Sequence, residues 1–378
     1  MCRFFREASG AGSFFLSMPV VFRRCPDYDA ANLQNCLQDM LSLLGIERLI
    51  RPGDRVLLKP NLIAPRPPAT AVCTHPAVIR ALAMLVRDCG GKPCLGDSPG
   101  YASLDRCLAA SGLKEVVDEL DLEVVPFTPP VDVVREENLV LKRFQLAAPV
   151  LEFDRIVNVP KLKTHGMMGL TLAVKNLFGC ISGYDKARWH LRAGHNRQLF
   201  ARILLDLYQT VKPDLHVLDG ILGMEGEGPT HGRPVSFGFL GASTDGIKLD
   251  YAAARLIHYP GETPLSREAM AQGLLDPEKL TVTGDCMAED FPAVKPARGS
   301  GDAAFPFHRF IRRLLVKKPV ISSSRCHRCL VCVRHCPAKA MKFVDRSVRI
   351  DYKACIRCYC CHELCPHGAV RVKWGLLR

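Results

Sequence analysis

Twelve residues from Cys326 to Pro337 read CHRCLVCVRHCP, and a second run from Cys355 to Pro366 reads CIRCYCCHELCP. In each run three cysteines recur with two residues between neighbours, and a fourth follows three residues later, directly before a proline. Short loops of that kind bring successive thiolates to one point, which is the donor set of a cubic [4Fe–4S] cluster. The trailing cysteine of such a run ligates the other cluster. The expected sets are Cys326, Cys329, Cys332 and Cys365 for one cluster, and Cys355, Cys358, Cys361 and Cys336 for the other. Zinc would be satisfied by four donors and has no need of eight with paired prolines. Disulfides suit small secreted scaffolds, and no secretion signal is evident. Cys360, beside Cys361, would leave its loop one residue short as a ligand. It is expected to be a bystander thiol, with an oxygen-labile site as the alternative.

Doubled in this way, the runs resemble the ligand pattern of a bacterial-type ferredoxin, whose chemistry is electron transfer. A second group of chemically capable residues lies upstream. Lys59 and Asn61 sit in KPNL, Thr74 and His75 in THP, and Asp97 and Ser98 in GDSPG. Lys161, Lys163 and His165 sit in PKLKTHGMMG, and Lys175 and Asn176 in AVKN. Asp219, Glu225, Glu227 and His231 lie among the glycines of LDGILGMEGEGPTHG. Lysines beside a histidine and glycines suit anion binding, and glycines let a backbone approach a ligand closely. Each also has a plain structural reading. Lys59 and Asn61 could close a turn, His75 and Asp97–Ser98 could cap helices, and Lys161 and Lys163 could be solvated. Lys175 is harder to dismiss, because an otherwise apolar helix leaves a lysine in need of a partner.

The elements that must position these groups alternate. DRVLLKPNLI, LEVVPF, FDRIVNVPKLKTH, DLHVLDGILG, FGFLGAS and KLTVTGD read as strands. PAVIRALAMLVRDCGG, SLDRCLAASGLKEVVDELD, LTLAVKNLFGC, RQLFARILLDLYQTV and GIKLDYAAARLIH read as helices. That alternation predicts an α/β domain with a mostly parallel sheet, the polar groups falling on strand-end loops. A small α+β iron–sulfur domain should follow it. The expected division is an extension over 1–17, the α/β domain over 18–297, a basic linker and helix over 298–321, and the cluster domain over 322–378. Met18 is the expected true start, since MPVVFRRC reads as a first strand.

The chain has 378 residues, 48% hydrophobic and 24% charged, which excludes a disordered polyelectrolyte. It has no apolar run of membrane-spanning length. Eighteen cysteines, eight of them in the two ligand patterns, suggest a reducing, cytoplasmic setting. The net charge of +13 is concentrated at the end: residues 298–378 hold 18 Lys+Arg against 4 Asp+Glu. Within that region, FHRFIRRLLVKK (307–318) reads as a basic amphipathic helix. It is expected to dock the cluster domain, with peripheral contact to an anionic membrane or an acidic protein as alternatives. No nucleic-acid motif supports that class.

VLLKPNLI, THPAVIRAL, GDSPG, VPKLKTHGMMGLTLAVKNLFG and DGILGMEGEGPTHG together resemble the domain-of-unknown-function 362 family, over residues 18–297. The resemblance implies an iron–sulfur protein with a two-cluster module, here about 322–372, and names no reaction. The functional expectation is a redox enzyme acting on an anionic small molecule. Lys59, Lys161, Lys163 and Lys175 would hold the anion, and His165 or Asp219 would move protons. Asn61, Asp97, Asn176 and Glu225 are expected beside the ligand. Two rivals remain: an electron carrier that docks acidic redox proteins, and a factor that delivers a cluster or metal. No dinucleotide fingerprint or P-loop supports nicotinamide or ATP.

Overall fold

The computed structural model describes residues 19–100, 102–181, 185–194, 196–297 and 315–376. The expectations for the extension, for Met18, and for most of the 298–321 linker lie outside those residues.

Strand β1 (Val20–Arg24), β2 (Arg55–Pro60), β3 (Lys92–Leu95) and β4 (Glu123–Val124) begin the main domain. A hairpin of β5 (Pro130–Val134) and β6 (Arg143–Ala147) interrupts the series. Then come β7 (Arg155–Val159), β8 (Lys161–His165), β9 (Gly169–Thr171), β10 (Leu215–Glu225), β11 (Arg233–Ser243) and β12 (Val282–Gly284). The sheet order is β12-β1-β11-β10-β7-β2-β3-β4, with β8 and β9 branching from β10. Pairing is parallel from β10 through β4 and antiparallel on both sides of β11.

Burial on both faces explains the apolar runs. Within β2, Val56 and Leu58 face one core while Leu57 faces the other. Helix Pro76–Asp88 covers the first face. His75 accepts from the Ala77 amide at 3.2 Å, Pro76 supplies a pre-set first turn, and Val78, Ile79, Leu82, Leu85 and Val86 form the buried stripe. Helix Arg197–Val211 covers the second, capped by Asn196 and burying Phe200, Ile203, Leu204 and Leu207. Burying a side chain such as Leu82 or Leu204 contributes about 1.5–3 kcal/mol.

From β2 the chain winds outward through β3 and β4, then returns to β7 and β10 on the other side of β2. The winding reverses between β2 and β7, and the crevice beyond their C-terminal ends is where open α/β sheets bind ligands. Lys59, Asn61 and Lys161 lie at those ends, and Asp97 lies just past the end of neighbouring β3.

Three expectations change. Lys161, Lys163 and His165 belong to β8 rather than to a loop. Asp219 through Glu225 are the second half of the long strand β10, not a glycine loop. LTLAVKNLFGC is split among β9, a short helix Ala173–Asn176 and a 3-10 turn Leu177–Cys180. The buried Asp250 carboxylate accepts from the Ala173 and Val174 amides at 2.6 and 3.0 Å and fixes that short helix.

The C-terminal module pairs β13 (Leu315–Ile321) with β16 (Val370–Leu376) and carries a hairpin of β14 (Met341–Val344) and β15 (Ser347–Ile350). Leu315–Lys318, read above as helix, is therefore strand. Each cysteine run ends in one helical turn, Val331–Arg334 or Cys360–Glu363.

Candidate functional site

The two runs fold alike. Arg328 and Leu330 have φ of 54° and 60°; their counterparts Arg357 and Tyr359 have 55° and 61°. Four non-glycine residues in the left-handed region are costly, and such strain is retained where it shapes a site. Here it curls each loop so that its thiols face inward. Cys336 accepts the Ala340 amide at 3.3 Å, and Cys365 accepts the Ala369 amide at 3.2 Å. Amide bonds to sulfur are what a thiolate ligand needs to hold its charge. Cys326, Cys329, Cys332 and Cys365 line one small enclosed void, although Cys365 comes from the second run. Around Cys361 the electrostatic neighbours are Cys358, Cys355, Cys332 and Cys336. No three His, Cys, Asp or Glu side chains among the described residues close on a single ion. Four thiols lining one void, with amides donating to the Cys336 and Cys365 sulfurs, fit the donor set of a cubic cluster. Cys360 takes the place in the second run that Val331 takes in the first, and both are buried. Aligning the two runs shows that correspondence in the sequence.

The module packs against the crevice end of the sheet. Arg66 donates to the Pro366 carbonyl at 2.7 Å, Thr230 to the Glu363 carbonyl at 2.8 Å, and the His231 ring meets the His362 carbonyl at 3.1 Å. Glu363, between Cys361 and Cys365, is the charged contact. Burial alone would raise its carboxyl, but the His165 ring and the Lys175 ammonium beside it outweigh that and hold it well below the ordinary range. His165 Nε2 lies 3.2 Å from Glu363 Oε1, outside hydrogen-bond geometry. Its Nδ1 accepts the Met167 and Met168 amides at 3.0 and 3.1 Å. A proton on Nδ1 would break both bonds, and burial pushes the ring's pKa down. His165 is therefore neutral, with its proton on Nε2, and Lys175 supplies the formal charge opposite Glu363.

Between the domains is a cavity of about 480 Å³. Asn61, Asp97, Lys175 and Asn176 line it from the α/β side, with Thr171, Phe178, Lys186 and His190. Arg334, Cys336, Cys360 and Glu363 line it from the module. Thr171 Oγ1 and His190 Nδ1 are buried without a hydrogen-bond partner. The Lys175 ammonium has no hydrogen bond among the described residues and stands over the Phe178 and Phe200 rings at 5.4 and 5.7 Å. Burial lowers its pKa, with Glu363 opposing. Burial pushes Lys186 down to about 8 and His190 to about 4. Buried polar atoms without a partner are rare unless a ligand or ordered water satisfies them.

The remaining expected site residues stand behind this wall or away from it. Lys59 is fully buried, paired with Asp97 at 3.0 Å. A Cβ on Gly179 would meet Asp97 Oδ1 at 2.1 Å, so only glycine lets the turn pass over that pair. Lys163 donates to Asn61 Oδ1 and to the Val72 carbonyl. Asn61 donates to Asn176 at 2.8 Å, and Asn176 to Asn158 at 2.8 Å. This buried chain fixes which way each amide faces the cavity. Burial, reinforced by Lys175 and Lys161, pushes Lys163 down to about 7. Unfolding then takes up a proton between about pH 7 and the ordinary lysine value. Stability should rise with pH across that window, by up to about 1.4 kcal/mol per unit. Anaerobic urea titrations should show that slope reduced in Lys163→Met; an unchanged slope would reject the lowered value.

Asp219, expected as a proton carrier, is fully buried and saturated. It accepts from Lys161 at 2.7 Å, Tyr28 at 2.9 Å and the His75 amide at 2.9 Å. His75 stacks on Tyr28 with centroids 3.5 Å apart. Lys161 and Asp219 hold the crevice together and do not line the cavity. Asp219→Ala should destabilise the fold by about 3–5 kcal/mol, because Lys161 would keep a buried charge with no counter-ion. Lys161→Met combined with Asp219→Asn should recover part of the loss in urea titrations. Glu225 is bound to Arg233 Nε at 3.1 Å and the Lys295 amide at 3.0 Å, on the far side of the module contact.

The sequence reading missed Thr171, Lys186, His190, Arg334 and Glu363. Glu363 carried a signal: a lone carboxylate between cysteines in a basic module needs a cation from elsewhere.

Comparison with known proteins now bears on identity. The family described as Domain of unknown function (DUF362) matches residues 56–255, and the 4Fe-4S dicluster domain matches residues 318–366. The chain is 35% identical over 261 residues to Thylakoid-associated protein sll1697 of Synechocystis, covering 69% of this chain and 81% of that protein. It is 35% identical over 69 residues to Putative oxidoreductase AegA of Escherichia coli, covering 17% of this chain and 10% of that one. Among solved structures, a lactate racemase apoprotein from Thermoanaerobacterium thermosaccharolyticum aligns over 64% of this chain and 58% of its own, with a TM-score of 0.41 and 11% identity. No helix among the described residues is long and apolar enough to cross a membrane. With its family match over the α/β domain and a full-module match at the C-terminus, the chain belongs to the DUF362 family and carries a 4Fe-4S dicluster domain.

Proposed function

We propose that this protein exchanges electrons, one at a time, between its iron–sulfur module and a small anion held in the cavity between the domains. The observation that carries this reading is the cavity's composition. Buried, unpartnered donors on the α/β side face a wall that contains Cys336 and Cys360.

Cys326, Cys329, Cys332 and Cys365 would hold one cluster; Cys355, Cys358, Cys361 and Cys336 would hold the other. Bound there, the clusters supply one-electron transfer. The protein's own groups do the rest. Lys175 and Lys186 neutralise a carboxylate or phosphate, and Thr171 donates to it. Asn61 and Asn176, fixed by Lys163 and Asn158, orient it. Phe178 and Leu364 exclude water along one side. His190, neutral and buried with Nδ1 unpartnered, is placed to accept or return a proton at that atom. His165 and Asp219, the groups expected to move protons, do not line the cavity, which leaves this role to His190.

Native mass spectrometry of anaerobically purified protein tests the reading. Mass beyond eight irons and eight sulfides, removable by mild acid or competing anions, is the expected result. A chain carrying two clusters, with no bound anion and no affinity for added carboxylates or phosphates, would reject it.

A further inference from the structure

On the opposite side of the domain contact runs an open groove of about 960 Å³. Its rims carry Arg233 and Lys295 from the α/β domain, and Arg325, Arg371 and Lys373 from the module, all exposed. Arg66 lies at its floor, tied to Pro366. The acidic residues along it are Glu225 and Glu227. Burial would raise the Glu225 carboxyl, but Arg233 and Lys295 lower it below its ordinary range, so it is a carboxylate paired with those two cations. Pro366 and His367 line both this groove and the small void enclosed by Cys326, Cys329, Cys332 and Cys365. Arg325 directly precedes Cys326. The ligand cavity, by contrast, borders Cys336 of the second set. The first set of thiols therefore lies behind Pro366 and His367 from the basic groove, while Cys336 of the second set borders the cavity between the domains.

We infer that the groove is the docking surface for an acidic, low-potential redox protein that exchanges single electrons with the module at the Cys326 end. The cations are exposed, spread along two rims and not gathered around buried donors. That arrangement suits a broad surface of opposite charge and not a small polyanion. Complementary potential of this kind raises association rates and fixes orientation more than it adds affinity. In the transfer the partner's reduced flavin loses one electron and the module gains it, with no bond made or broken.

The test uses the full, cluster-loaded chain and reduced flavodoxin as the acidic probe. Arg371→Glu combined with Lys373→Glu should slow second-order reduction about tenfold or more at low salt and flatten its salt dependence. Calorimetric affinity for oxidised flavodoxin should fall in parallel, a readout that needs no electron transfer. Reduction by methyl viologen radical, which carries positive charge, should not slow. Lys342→Glu combined with Arg349→Glu, on the β14–β15 hairpin away from the groove, should leave flavodoxin reduction nearly unchanged. Equal slowing by both pairs would mean that only net charge matters, and no slowing by the groove pair would mean docking elsewhere; either overturns the inference. Loss of the ligand cavity's activity would not affect this test, since flavodoxin reduction is read without substrate.

Discussion

Cys365→Ala is expected to remove about half of the iron, and to remove it from the cluster whose other ligands lie in the first cysteine run. The expectation comes from the void that Cys365 shares with Cys326, Cys329 and Cys332. Loss of one thiolate from a four-cysteine set leaves an iron open to water and oxygen, and such clusters are readily lost. Crossed ligation is distinguished from independent runs by combining variants. If Cys365 and Cys329 serve one cluster, Cys329→Ala combined with Cys365→Ala loses no more iron than either alone. Cys358→Ala combined with Cys365→Ala should lose nearly all of it. Effects of residues that act as a unit do not add, whereas effects at separate sites do. Iron analysis and electron paramagnetic resonance of anaerobic preparations read both results. The reverse pattern of additivity would return Cys365 to its own run.

Lys175→Met should abolish retention of the small anion while both clusters stay. The ammonium is buried, lacks a hydrogen-bond acceptor among the described residues and faces the cavity over two aromatic rings. Methionine nearly conserves the volume and the apolar stem, so the wall should stand. A charge-assisted hydrogen bond contributes about 1.5–3 kcal/mol, which is one to two orders of magnitude in Kd. Lys175 also faces Glu363, and iron content separates the two roles. Loss of anion with eight irons retained supports ligand binding. Loss of both would show that Lys175 seats the module and would reject it as an anion ligand. Asn176→Leu, which removes an orienting amide and leaves the charge, should weaken binding less.

The dicluster module was legible because its signal is local. Two-residue spacings and following prolines specify loop geometry within a dozen residues. The parallel sheet was legible for the same reason, from apolar runs such as VLL and IVNV. The lysines were not. Lys59, Lys161, Lys163 and Lys175 look alike in sequence, and what separates them is long-range pairing. Lys161 meets Asp219, 58 positions away, and Lys163 meets Asn61, 102 away. Lys175 alone of the four is left facing open space. In β8 the alternation of Lys161, Lys163 and His165 around Leu162 and Thr164 was a strand signal, obscured by the expectation that charged residues lie in loops. The basic stretch ending in LLVKK read as a helix from its spacing, yet Leu315–Lys318 is held as strand by pairing with β16. Lys186 and His190 became visible only once helix Asp185–Ala193 was seen to roof the crevice.

Helix Cys360–Glu363 is one turn long, yet three structures depend on it. It carries a thiol of the second set, it holds the carboxylate that meets Lys175, and it forms part of the cavity wall. Metal binding and folding are coupled in modules of this size. A chain that has not received its iron, or has lost it to oxygen, should therefore lack a finished pocket as well. Such a chain could not capture its small molecule and hold it idle. Readiness to bind and readiness to conduct would be acquired together and surrendered together, so damaged copies would withdraw from competition for the ligand instead of becoming traps for it.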